Sequence, residues 1–61
     1  MNNELDPSKG KNVRVRANAG EQWNGARGVV VRQLSPKLWA VKLDGYIGEV
    51  DFSTAELTVL N

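Results

Sequence analysis

The chain has 61 residues, eight basic and seven acidic side chains, a net charge of +1, and neither cysteine nor histidine. This excludes disulfides, zinc fingers, thiol catalysis and imidazole acid–base chemistry. It also leaves a single small domain without the usual staples, so self-association is the expected source of added stability.

Residues 1–10, MNNELDPSKG, are polar and offer little apolar surface, and they read as a flexible tail ahead of one domain over residues 11–61. They lack the basic and apolar regions of a signal peptide, and no apolar run approaches the ~20 residues needed to cross a bilayer. A cytoplasmic protein without membrane contact is the expectation.

The first strand is expected from Asn12 to Ala17, with Val13, Val15 and Ala17 on one side and Arg14 and Arg16 on the other. Asn18 to Gly25 form a loop that carries Trp23 between two glycines. Ala26 to Leu34 make a longer strand, in which the run Val29-Val30-Val31 implies a bend that serves both sides of a curled sheet. Gly28 suits a bulge, or a corner where another backbone approaches closely. Ser35-Pro36-Lys37 is a turn.

Leu38 to Leu43 form a third strand, and Asp44-Gly45 is a two-residue hairpin signal. That turn would place Leu43 opposite Tyr46, Val41 opposite Gly48 and Trp39 opposite Val50. One face then carries Trp39, Val41, Leu43, Tyr46, Val50 and Phe52 as core. Leu38, Ala40, Lys42, Ile47, Glu49 and Asp51 lie on the other. Ser53 stands three residues before Glu56, a capping-box spacing on a connector of one turn. Leu57 to Leu60 close the chain as a fifth strand. The fold expected is all-β: a closed, five-stranded SH3-like barrel with a one-turn 3-10 connector before the last strand.

The pattern V-R-V … W-N-G-A-R-G-V-V-V … W-A-V-K-L-D-G … F-S-T-A-E-L, over residues 11–60, resembles the SH3-like barrels of the KOW and translation-protein type. Gly25, Gly28, the valines after them and the closing F…EL carry the match. The resemblance implies the barrel. The same barrel serves ribosomal proteins, transcription factors and small accessory subunits of photosynthetic and redox complexes, so it does not choose a function.

The stretches AGEQWNGARG, LSPKLWAV and GEVDFSTAELTVLN are similar to the plasmid-borne type II dihydrofolate reductases, short SH3-like chains that assemble as tetramers around one pore. In that family a Val-Gln-Ile-Tyr run and a lysine from the first strand line the pore. Here the run is Val50-Asp51-Phe52-Ser53, Ala17 stands at the lysine position, and the chain is one residue shorter after Gly48. The resemblance implies the scaffold and oligomerisation, without the residues for folate and nicotinamide.

Three groups are candidates for function. Trp23, beside Gln22 and Asn24, is either an aromatic platform for a base or peptide, or a cover over one end of the barrel. Arg14, Arg16, Arg27 and Arg32 would join it in a surface suited to RNA or single-stranded DNA, or else serve as solvated residues and partners for Glu49 or Asp51. Leu38, Ala40 and Ile47 are outward aliphatic residues and suggest contact with a protein partner or a second copy. Asp44, Glu49 and Asp51 have no histidine, motif partner or nucleophile to work with, so no catalytic residue, metal or cofactor is expected. The expected function is a non-catalytic binding or assembly module that self-associates or docks onto a larger complex. The alternatives are a KOW-like nucleic-acid-binding module and a diverged pore-forming reductase.

Overall fold

A computed structural model describes residues 7–60. Five strands, β1 (Asn12–Val15), β2 (Arg27–Ser35), β3 (Leu38–Leu43), β4 (Glu49–Ser53) and β5 (Leu57–Val59), form one antiparallel sheet in the order β4-β3-β2-β1-β5. One-turn 3-10 segments lie at Ala17–Ala19 and Thr54–Glu56. The expected all-β class, five strands and one-turn connector before the last strand are all present. Closure is not: β4 and β5 remain the two edges of an open ladder, so the strands form a small barrel-like sheet rather than a closed barrel. No helix of the described residues is long and apolar enough to cross a membrane.

Alternation sets the core. Val13 and Val15 of β1, Val30 of β2, Trp39, Val41 and Leu43 of β3, Phe52 of β4 and Leu57 of β5 are all buried on one side. β1 ends at Val15 rather than Ala17, because Ala17 opens a 3-10 turn and is exposed. In the valine run, Val30 is buried, while Val31 is an extra residue at a register shift between Val30 and Arg32. This is the bend that the three successive valines imply. Gly28 lies against the β3 backbone, where an added Cβ would collide with the Lys42 carbonyl and stand 2.9 Å from the Leu43 Cα.

The β3–β4 hairpin departs from the expected register. Trp39 pairs with Phe52, Val41 with Val50 and Lys42 with Glu49, so six residues, 43–48, connect the ladders instead of two. The Asp44-Gly45 turn itself forms, with Gly45 at φ 78 and the Tyr46 N–H donating to the Leu43 carbonyl at 3.2 Å, and two further interactions hold the segment. The Asp44 N–H donates to the Arg27 carbonyl at 2.8 Å, and the Lys42 ammonium donates to the carbonyls of Leu43 and Tyr46. The slip is two residues, which preserves the faces. Trp39, Val41, Leu43 and Phe52 stay in the core, Val50 is half-buried, and Tyr46 leaves the core for the loop at 46% exposure.

Ser35 pairs with Leu38 across Pro36-Lys37, so the tight hairpin falls there. Of the segment read as a tail, residues 1–6 lie outside the described residues. Pro7 is buried, and the Gly10 N–H donates to the Val30 carbonyl at 2.8 Å.

Candidate functional site

The outer face of the sheet, away from the core, brings three arginines together. Val15 N–H donates to Ala26 O and Val30 N–H to Lys11 O, so the hydrogen-bonded pairs between β1 and β2 involve Lys11, Val13 and Val15. Arg14 pairs with Arg27 and therefore sits at a non-hydrogen-bonded position, where Cα atoms are about 4.5 Å apart and side chains lie closest. Arg16 follows Arg14 by two residues on the same face. Its Nε donates to Thr58 Oγ1 at 2.9 Å, and Thr58 is itself the β5 partner of Arg14. All three guanidinium-bearing residues are exposed. None of the three forms a salt bridge among the described residues. Asp44 stands beside Arg27 on the β3 side through its backbone bond, without making an ion pair.

Arg32 does not belong to this group. Its Nη1 lies 3.0 Å from Glu49 Oε1, a salt bridge that reaches from β2 to β4 across β3. Opposite charge is thus segregated on the outer face: Glu49 and Asp51 lie on β4, and Arg14, Arg16 and Arg27 on and just beyond β1 and at the start of β2.

Trp23 faces the other way. It packs against the core side, with its ring edge-on to Tyr46 at 5.3 Å and to Phe52 at 6.2 Å between centroids. The indole therefore covers one end of the core, and the arginine row lies on the opposite side of the sheet.

The three aliphatic candidates do not share a patch. Leu38 is half-buried, Ala40 is 1% exposed and Ile47 is 98% exposed. Ala40 was expected to face a partner. It is instead covered within the chain, in the stretch of β3 that the Arg32–Glu49 bridge spans. Leu38 opens β3 and Ile47 lies beyond its other end, more than about 15 Å along the strand at 3.3 Å per residue.

In the run Val50-Asp51-Phe52-Ser53, Phe52 is buried in this chain's own core and Ser53 N–H donates to the Glu56 carboxylate at 2.8 Å; Asp51 alone is exposed. Two residues gain a place that sequence reading missed. Thr58 holds Arg16, and Tyr46 is the exposed aromatic beside Trp23. The Thr58 partnership follows from β1–β5 pairing, which no local turn encodes.

Comparisons of the chain with protein-family models, with curated proteins and with solved structures gave no match.

Proposed function

We propose that the chain is a non-catalytic binding module of SH3-like type that holds the phosphates of single-stranded nucleic acid on the row Arg27, Arg14 and Arg16. The observation that carries this reading is the Arg14–Arg27 pair. Like charges directly opposite on adjacent strands destabilise a sheet, and neither arginine forms an ion pair among the described residues. An anion laid across the row removes that repulsion, and guanidinium forks match phosphate oxygens well.

Three arginines make a small footprint, in keeping with the net charge of +1 and with a single strand rather than a duplex. The row contains no aromatic side chain for base stacking, so binding is expected to be indifferent to base sequence.

The test is an anisotropy titration of a labelled oligonucleotide. Each phosphate contact contributes about −0.7 to the slope of log affinity on log salt. Three contacts give about −2, or a loss of roughly 15-fold between 50 and 200 mM salt. Arg14→Glu should weaken binding at least tenfold at low salt. Asp44→Asn, which removes the carboxylate beside Arg27 in a turn that tolerates asparagine, should tighten it. Binding that ignores both changes overturns the proposal, as does equal binding of polyglutamate, which would assign the row to an acidic protein surface.

A further inference from the structure

Two features at opposite ends of the β3–β4 hairpin are unused by the arginine face. Beyond the C-terminal end of β3, the 44–48 loop projects Ile47 almost completely into solvent. At the N-terminal end of β3 lies an open groove of about 560 Å³, lined by Pro7, Pro36, Trp39 and Ala55 together with Lys37 and Thr54. Trp39 is fixed there by an indole N–H donated to Thr54 Oγ1 at 2.8 Å, so its ring forms a rigid wall. The groove is roomy enough for an aliphatic side chain, and it carries a cation, Lys37, with no ion pair among the described residues. The Ile47 loop carries Asp44, which likewise forms no ion pair among the described residues.

We infer that the chain associates head to tail, Ile47 of one copy entering the Pro7–Pro36–Trp39–Ala55 groove of the next, with Asp44 meeting Lys37. The occupant is a second copy because knob and groove are complementary in both apolarity and charge, and each molecule carries both. Such a contact is heterologous: it uses two different patches and leaves one knob and one groove free at the ends of every chain of copies. One side chain in one groove buries far less than the ~800 Å² per partner of a stable interface, so association is weak and concentration-dependent.

Sedimentation of the whole chain up to about 1 mM tests this, the range where a small interface shows its affinity. The average mass of the wild type should rise above the 6.7 kDa of one chain with concentration. Ile47→Glu, at a solvent-exposed position, and Ala55→Arg, at an exposed groove position, should each stay monomeric, with association weakened at least tenfold. The two variants mixed in equal amounts should form a dimer that grows no further, since one retains a groove and the other a knob. A wild type that is monomeric throughout overturns the inference. So does an Ile47→Glu chain that associates like the wild type, or a mixture that fails to dimerise when the wild type does.

Discussion

Gly28 is where a single methyl group has the largest effect. The position is required for close approach, not for unusual dihedrals, because the atoms that an added Cβ meets are the Lys42 carbonyl and the Leu43 Cα, both backbone. Backbone cannot rotate away as a side-chain end does, so Gly28→Ala should destabilise the domain by about 3 kcal/mol, the upper part of the range for overpacking. A chain of this size has a total stability of roughly 3–9 kcal/mol, so the urea midpoint should fall far, with much of the protein unfolded in water. An unchanged midpoint would show that β2 and β3 can separate without loss. Arg14 makes the contrasting case, since its removal should help. Arg14→Glu turns a like-charged cross-strand pair with Arg27 into an opposite pair, and at low salt it should raise stability by about 0.5–1 kcal/mol. A destabilised variant would mean that the two guanidiniums do not feel each other.

The 3-10 turn Thr54–Glu56 is the element that turns the chain from edge strand β4 to edge strand β5, and it is held at its start by Ser53 N–H on Glu56 Oε1. Glu56→Ala should cost about 1 kcal/mol and Glu56→Gln much less, because an amide oxygen can still accept the bond. Equal losses in the two variants, read from urea unfolding, would put the contribution elsewhere. The Ser53–Glu56 spacing is legible in the sequence, as are the valine alternation of β1, the closeness required at Gly28 and the bend at Val29–Val31. Each depends on residues adjacent in the chain. The Asp44-Gly45 turn is legible and present, with Gly45 at φ 78 and the Tyr46 N–H donating to the Leu43 carbonyl at 3.2 Å, but the register beyond it was not, because Tyr46 to Gly48 stay outside the ladder before β4 begins to pair. Core membership survives the slip because a shift of two residues keeps side chains on their faces. For the same reason only loop residues are misplaced, Tyr46 above all. The Arg14–Arg27 pairing was hidden more deeply: an irregular segment of eleven residues, 16–26, separates the strands, so no turn chemistry sets their register.

At the scale of the whole molecule, a net charge of +1 conceals a polarised surface, with arginines that form no ion pair among the described residues toward β1 and carboxylates on β4. Like charges paired at Arg14 and Arg27 are expected to cost the sheet stability, which a bound polyanion would return. Ligand at 100 times its dissociation constant adds about 2.7 kcal/mol to a folded state that alone binds it. A domain of this size gains about 4–8 °C per kcal/mol, so saturating oligonucleotide should raise the wild-type Tm by roughly 10–20 °C in low salt. Arg14→Glu should invert the pattern: a higher Tm than wild type without oligonucleotide, and little or no rise with it. Salt should compress both differences together, since screening at about 0.15 M weakens repulsion between arginines and attraction to phosphate alike. Thermal scans of the two proteins, with and without oligonucleotide at low and moderate salt, separate this from a merely structural role for the arginines. Equal ligand-induced shifts in wild type and variant would place the binding surface away from Arg14. A variant less stable than wild type that also gains nothing from ligand would instead mark Arg14 as a structural residue.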